Sequence, residues 1–177
     1  MQDLSMVDYS QFKCRFCDCC KTKADAKCRL GWSNAAHVRD CCDFINWEAA
    51  MDTKEAPEHD MPRCDSVYIR DNNETVYFIE QKNIRWLLDN VEKGTLKKVE
   101  NVAAELDAKF TKSKDIFEGD EHPVKYFKSI FSYDMNNVSN SEELERLFRN
   151  HFFTPLESFG IISANCQDAF DKIVYWD

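Results

Sequence analysis

Residues 64–82 read CDSVYIRDNNETVYFIEQK, and this stretch decides the fold. Two runs rich in β-branched and aromatic residues, 66–70 and 75–80, flank the polar segment 71–74. Runs of this composition favour strands, and an Asp-Asn-Asn-Glu segment favours a turn. The stretch therefore predicts a β-hairpin.

The turn also determines which residues of the hairpin face each other. A two-residue loop at 72–73 and a four-residue loop at 71–74 leave the same pairs opposite one another. In this register Asp65 lies directly opposite Glu80, so the sequence predicts two adjacent carboxylates.

Side chains alternate between the two faces of a strand, so the register also predicts the composition of each face. The face that carries Asp65 and Glu80 is otherwise apolar, because Val67 opposes Phe78 and Ile69 opposes Val76; we expect it to face the core. The other face is more polar and carries Ser66, Tyr68, Arg70, Thr75, Tyr77 and Gln81.

Directly opposed side chains have Cβ atoms about 4.5 to 5.5 Å apart, so two like charges there are destabilising. A divalent cation would neutralise them, since Mg²⁺ takes one or two carboxylates and fills its remaining positions with water and phosphate oxygens. Lys82 follows Glu80 by two residues and shares its face. Two acids and a lysine suit phosphodiester hydrolysis assisted by Mg²⁺ or Mn²⁺. The alternative is that Asp65 caps a turn while Glu80 and Lys82 are ordinary strand-end charges.

Asp65, the hairpin and the run FIEQK at 78–82 together resemble the PD-(D/E)xK nuclease superfamily, over about residues 43–133. The resemblance implies a restriction-endonuclease-like fold of αβββαβ order, that is, a mixed α/β (α+β) fold with a mixed central sheet flanked by helices. It implies that Asp65 and Glu80 are metal ligands and that Lys82 is the catalytic lysine. An acidic ligand from the preceding helix is also implied, for which Glu48 is the candidate; the alternative is a solvated helix charge.

Two features depart from the pattern of that superfamily. The residue before Asp65 is Cys64, with the proline displaced to Pro62. Residues 43–51, with Phe44, Trp47 and Met51 at helical spacing, predict a short helix. This helix leaves little room for a first core strand before Asp65.

Elements outside the hairpin are predicted from periodicity and capping residues. Helices are expected at 43–51, 84–93 and 95–113, with a further one carrying Leu144, Leu147 and Phe148, and strands at 124–133 and 159–164. Gly94 is expected to end the second helix. The third carries an apolar stripe, which predicts packing on the sheet, and we interpret Lys109, Lys112 and Lys114 as cations at its carboxyl end. The final apolar run, 173–176, packs on the core or forms a partner surface.

Seven of the nine cysteines lie between Cys14 and Cys42, a clustering that favours metal binding over disulfides. Structural Zn²⁺ is the favoured ligand, with the Cys14-x2-Cys17 pair as one half of the site. The other half would come from Cys28, His37, Cys41 and Cys42. The spacing of Cys14, Cys17 and Cys20 also suits a 4Fe-4S cluster, and reduced thiols packing as small apolar groups are a third reading.

The composition change near Cys42 divides the chain into a Cys-rich, metal-binding extension at 1–42 and a nuclease-like core at 43–177. Basic residues outnumber acidic ones by seven to two from Lys13 to Arg39. The extension is therefore a candidate for contact with the phosphate backbone of nucleic acid; an anchor for the amino terminus is the alternative.

Composition excludes several classes of protein. The four glycines among 177 residues are far apart, which excludes a Walker loop, a GxGxxG turn and a GxSxG elbow. The net charge of −9 excludes whole-molecule attraction to nucleic acid or anionic lipid. No apolar run approaches the ~18 residues of a membrane span. The start, MQDLSMVDYSQ, does not resemble a signal peptide, which predicts a reducing intracellular compartment such as the cytoplasm.

The leading hypothesis is a metal-dependent nuclease that hydrolyses phosphodiester bonds of nucleic acid, with DNA favoured over RNA. A homodimer would suit cleavage of both strands, although no heptad supports one. The alternative is a non-catalytic, zinc-containing adaptor or binding module on a nuclease-like scaffold. Cleavage of nucleic acid that is lost without Glu80 or Lys82 separates the two.

Overall fold

The computed structural model describes residues 9–14, 43–53, 62–70, 75–83, 89–90, 93–94, 96–119, 125–134, 146 and 148–175. Their strands form one mixed six-stranded sheet, in which the strands lie side by side in the order in which they occur along the chain. The strands are β1 (Lys13–Cys14), β2 (Phe44–Asn46), β3 (Ser66–Ile69), β4 (Thr75–Asn83), β5 (Tyr126–Asp134) and β6 (Ile161–Asn165).

The helices are α1 (Trp47–Met51), α2 (Leu96–Gly119), α3 (Thr154–Ser158) and α4 (Cys166–Val174). A 3-10 turn at Ser10–Phe12 precedes β1, and a π-helical turn at Arg149–Phe153 leads into α3. The predicted mixed α/β fold, with helices flanking a mixed sheet, is therefore confirmed at that level.

The direction of the strands changes at β4. From β1 to β4 each strand pairs antiparallel with the next, whereas β4 to β5 and β5 to β6 are parallel. A parallel pair needs a crossover connection, and α2 lies in the connection between β4 and β5. β4 is thus a central strand with an antiparallel neighbour on one side and a parallel neighbour on the other.

The face of the sheet toward α2 carries the larger apolar cluster. Val67, Val76 and Phe78 of the hairpin pack there with residues of α1, α2 and the α3 region. The predicted stripe of α2 is confirmed, since Val99, Ala103, Leu106 and Phe110 are all buried. The cluster also includes Trp47, Met51, Phe117, Phe131, Phe148, Phe152 and Leu156.

The opposite face of the sheet is buried too, against α4. Tyr68, Tyr77 and Ile79 of the hairpin pack there with Phe44 of β2 and Phe170 of α4. The expectation that this face is the polar one holds for its composition, yet Ser66 and Gln81 are also buried on it. Both faces are covered because the amphipathic α4, with Ile173 fully buried, supplies a second apolar layer.

The helix predicted at 43–51 is wrong in its first part, which forms β2. Ile45 pairs with Val67 and Asn46 with Ser66, so these residues extend the sheet before the chain turns into α1. Asn46 caps α1, because its side chain accepts a hydrogen bond from Ala49 N at 3.0 Å. A strand of the sheet therefore precedes the short helix, where the sequence predicted only helix.

Several other boundaries differ from the predictions. Helix α2 continues to Gly119, and the later strands begin at Tyr126 and Ile161. Most of the predicted helix at 84–93 lies outside the described residues, as do the hairpin turn, Leu144 and Leu147. Gly94 has a φ of 71°, the left-handed conformation of a glycine that ends a helix.

Candidate functional site

Asp65 directly precedes β3, and both its backbone N–H and its carbonyl form hydrogen bonds. Its N–H donates to Ile79 O at 3.0 Å, and its carbonyl accepts from Trp47 N–H at 3.2 Å. The side chain is held as well, since Oδ2 accepts from the backbone N–H of Gln81 at 2.7 Å. The carboxyl group is therefore directed at β4, on the α2 side of the sheet.

The predicted hairpin register is confirmed. Ser66 pairs with Ile79 and Val67 with Phe78, as predicted. Asp65 directly precedes this ladder, its N–H bonds to Ile79 O, and its carboxyl group lies close enough to Glu80 for the two charges to interact. Both acids are buried, with Asp65 2% exposed and Glu80 0%. The two carboxyl groups thus occupy a low-dielectric environment together.

The two oxygens of Glu80 have different surroundings. Oε1 accepts from Lys82 Nζ at 2.8 Å and from Lys109 Nζ at 2.6 Å. Oε2 is buried and accepts no hydrogen bond from any described residue. The lysine side chains are 33% and 30% exposed, so the lysines are the partly exposed members of the cluster and Glu80 the buried one.

Burial and, after it, the charge of Glu80 raise the pKa of Asp65 to about 7. Lys82, the N–H of Gln81 and Lys109 oppose this effect. The cause is that a charged carboxylate loses water contacts and faces a like charge. Asp65 is therefore protonated more easily than an exposed aspartate.

Cys64, where the resembled superfamily has proline, has a clear role in this structure. Its buried N–H donates to Ser113 Oγ of α2 at 2.9 Å, a bond that proline could not make. Its thiol donates to Ser66 O at 3.4 Å, and burial raises the pKa of that thiol. The departure from the pattern therefore ties the residue before Asp65 to α2.

Lys109 is the residue of this cluster that sequence reasoning missed. Its interpretation as a helix-end cation is wrong, because α2 continues for ten residues beyond it, to Gly119. Lys112 and Lys114 are also interior to the helix, where they lie 3.7 and 3.8 Å from Asp115 and Glu118. A signal for Lys109 was available: it follows the buried Leu106 by three residues and precedes the buried Ser113 by four, so it lies on the sheet-facing side.

Glu48 lies in α1, one residue after Trp47, whose N–H bonds to Asp65. It is half-buried. Its helix, α1, follows β2 and precedes β3. Its assignment as a third acidic ligand stays a prediction.

The donor set near Glu80 consists of two carboxylates. Within the ranges described, no group of three or more His, Cys, Asp or Glu side chains could hold a metal ion. Mg²⁺ nevertheless needs only one or two carboxylates, with water and phosphate oxygens as its other ligands. Asp65 together with the unpartnered Oε2 of Glu80 fits that requirement.

Of the predicted thiol ligands, only Cys14 lies among the described residues. It is half-buried in β1, pairs with Phe44 and packs against the α4-side cluster. It forms no disulfide. Cys17, Cys20, Cys28, Cys41, Cys42 and His37 lie outside the described residues.

Comparisons of this chain with protein-family models, with curated proteins and with solved structures find no match in any of the three. Among the helices described, none is both long and apolar enough to cross a membrane.

Proposed function

We propose that the protein is a metal-dependent nuclease that hydrolyses phosphodiester bonds of nucleic acid, with DNA as the favoured substrate. The observation that carries the proposal is the buried pair Asp65 and Glu80, with the ammonium groups of Lys82 and Lys109 on one oxygen of Glu80. A buried carboxyl group of raised pKa, here Asp65, beside a second acid and partly exposed lysines is typical of functional sites.

A restriction-endonuclease-like core is part of the proposal. The order β2, β3, β4, α2, β5 corresponds to the βββαβ part of that core, with α2 leading to a strand parallel to β4. The short α1 between β2 and β3 is a difference. The site would lie between Asp65, just before β3, and the carboxyl-terminal end of β4, which carries Glu80 and Lys82.

Each side chain has a distinct role in the proposed reaction. Asp65 and Glu80 would hold Mg²⁺ or Mn²⁺, with Glu48 as a third acidic ligand. The ion, when bound, supplies Lewis acidity and an acidified water. Lys82 donates a hydrogen bond to the phosphate during hydrolysis, in which a water oxygen bonds to phosphorus and a P–O ester bond breaks. One product carries the phosphate and the other the freed hydroxyl, which takes up a proton.

The amino-terminal thiols would add a second metal centre. We propose Zn²⁺ bound by a subset of Cys14, Cys17, Cys20, Cys28 and Cys41, with a 4Fe-4S cluster as the alternative. The excess of Lys and Arg around these cysteines supports contact with the nucleic-acid backbone. Metal analysis of the purified protein together with its visible absorption distinguishes Zn²⁺ from a 4Fe-4S cluster at the thiols, because only the iron-sulfur cluster is coloured.

One observation favours a second candidate, a non-catalytic adaptor or binding module. With both carboxylates ionised, the charges of Asp65, Glu80, Lys82 and Lys109 sum to zero, so the four side chains also form a charge-balanced cluster by themselves. Such clusters occur in purely structural settings.

The test is incubation of the full chain with plasmid, single-stranded DNA and RNA in Mg²⁺ or Mn²⁺. Lys82→Ala and Glu80→Ala are assayed beside it. We expect cleavage that is lost with a chelator and falls at least about 100-fold in both variants, because transition-state charge stabilisation is removed.

Two results would contradict the nuclease. Absence of cleavage in every substrate and metal would favour the adaptor. Cleavage that persists equally in both variants and with a chelator would come from a contaminating enzyme. Far-ultraviolet circular dichroism of each variant ensures that loss of activity is not loss of fold.

A further inference from the structure

We propose that Lys109 is a second phosphate-binding lysine, presented by α2, whereas Lys82 is presented by β4. The inference rests on the proposed nuclease function and adds a residue that no motif assigns. In this structure Lys109 bonds to Glu80; in the complex with metal and nucleic acid it would bond to a phosphate oxygen of the substrate.

The position of Lys109 is set by the packing of α2 on the sheet. Leu106 and Phe110 on either side of it are 3% exposed and belong to the α2-side cluster. Ser113, one turn further, bonds to Cys64 beside Asp65. The lysine stem is therefore held over the hairpin, and its ammonium group reaches Glu80 at 2.6 Å while its side chain is 30% exposed.

Two ammonium groups bond to the same oxygen of Glu80, that of Lys82 at 2.8 Å from the same strand and that of Lys109 at 2.6 Å from α2. Together the two lysines balance the charges of Asp65 and Glu80. A divalent ion at the two carboxylates would supply two positive charges by itself. Lys109, which comes from a different element than the carboxylates, is then free to bond to the substrate.

A divalent ion at Asp65 and Glu80 would reverse the electrostatic preference of Lys109. Two added positive charges next to Glu80 repel the ammonium group, while a phosphodiester brings a negative charge to the same place. An ammonium group has three donors and binds phosphate as a compact point charge. Its partly exposed position allows that exchange without movement of α2.

The exchange implies opposite effects of Lys109 on two measurable quantities. Without Lys109, the metal no longer competes with its ammonium group for Glu80, so metal binding becomes tighter. Cleavage becomes slower, because a donor to the phosphate is lost. A lysine that only supports the fold would weaken both.

The experiment compares Lys109→Met with the control Lys112→Met, whose lysine is exposed on the same helix and lies 3.7 Å from Asp115. Isothermal titration with Mn²⁺ alone measures metal affinity, and single-turnover cleavage of plasmid in Mn²⁺ measures activity. For Lys109→Met we expect affinity at least about threefold tighter and cleavage about 100-fold slower. Lys112→Met should match the wild type in both.

Lys109→Arg keeps the charge and tests the role independently of folding. We expect it to recover at least part of the cleavage rate and to bind Mn²⁺ like the wild type. Thermal unfolding of all variants identifies any that do not fold, and in that case Lys109→Gln replaces Lys109→Met.

The outcomes separate this inference from the nuclease itself. A wild type that cleaves, beside a Lys109→Met variant that cleaves equally fast, overturns the role of Lys109 alone. Weaker Mn²⁺ binding in that variant also overturns it, because the competition would be absent. A wild type that cleaves nothing overturns the proposed function, and this inference with it.

Discussion

The two ends of strand β4 hold cations in different ways. At its carboxyl-terminal end, Lys82 and Lys109 bond to a buried carboxylate. Toward its amino-terminal end, Arg70 and Lys128 each lie 5.4 Å from the centre of the Tyr77 ring. On neighbouring elements there, Lys114 lies 4.9 Å from the Phe127 ring and Lys125 lies 5.5 Å from the Tyr126 ring.

The comparison shows that the carboxyl-terminal end of β4 holds an arrangement that costs folding stability, whereas the amino-terminal end does not. An aromatic ring attracts a cation without bringing a charge of its own into the sheet, and the contact is stabilising by about 0.5–1 kcal/mol at exposed sites. Two adjacent buried carboxyl groups lose hydration and repel each other, which costs stability. Local arrangements that oppose stability are expected at functional sites, so the carboxyl-terminal end of β4 is where the proposed chemistry belongs.

The largest expected effect concerns Asp65 and pH in the metal-free protein. Because its pKa in the folded state, about 7, exceeds its ordinary value of 3.8, the folded state binds the proton more tightly than the unfolded state. The contribution of Asp65 to stability is therefore fully present below the ordinary value and is lost as pH rises toward about 7. Asp65→Asn removes this dependence and keeps an acceptor for Gln81 N–H.

The check is urea unfolding of wild type and Asp65→Asn at about pH 5 and about pH 8, without metal. The variant should gain stability over the wild type as pH rises, by on the order of 2–4 kcal/mol across the full titration. The same variant should not cleave nucleic acid. An equal difference between the two proteins at both pH values would show that Asp65 is not strained by its surroundings.

The next largest effect concerns Ser113, which supports the carboxyl-terminal end of β4 from α2. Ser113→Ala leaves the buried N–H of Cys64 without its acceptor, and an unsatisfied buried donor costs about 1–3 kcal/mol. Urea unfolding measures the loss. Lys112→Ala, an exposed change at the neighbouring position, should stay within about 0.5 kcal/mol of the wild type. A Ser113→Ala variant as stable as the wild type would mean that this bond does not anchor Cys64.

The smallest effect is expected toward the amino-terminal end of β4. Lys128→Met removes one of two cations over Tyr77 and should cost about 0.5–1 kcal/mol. Cleavage should be unchanged, since Lys128 lies away from Glu80 along the strand pair. Plasmid cleavage beside urea unfolding tests this. A loss of cleavage without a loss of stability would mean that Lys128 takes part in cleavage, so that both ends of β4 would belong to the site.

The features that were predictable from the sequence are those set by local pairing. The β3–β4 register follows from the turn, and with it the proximity of Asp65 and Glu80. The stripe on α2 follows from its periodicity. In these cases one segment of chain contains all the information.

The features that were missed depend on contacts between distant segments. Strand β2 has only three residues, too few for an alternating pattern, and it exists because Ile45 pairs with Val67. The burial of the second face requires α4, which lies about a hundred residues along the chain from the hairpin. Lys109 reaches Glu80 only because α2 crosses the sheet at that point, and its neighbours in sequence favoured a simpler electrostatic explanation.

The hydrogen bond from Gln81 N–H to the Asp65 side chain makes the site a product of correct hairpin formation. A slip of one residue between the two strands would turn Glu80 to the opposite face and would also remove the donor that orients Asp65. In a misregistered hairpin, therefore, neither acid takes its position in the site. Assembly of the hairpin and assembly of the acidic pair are a single folding event.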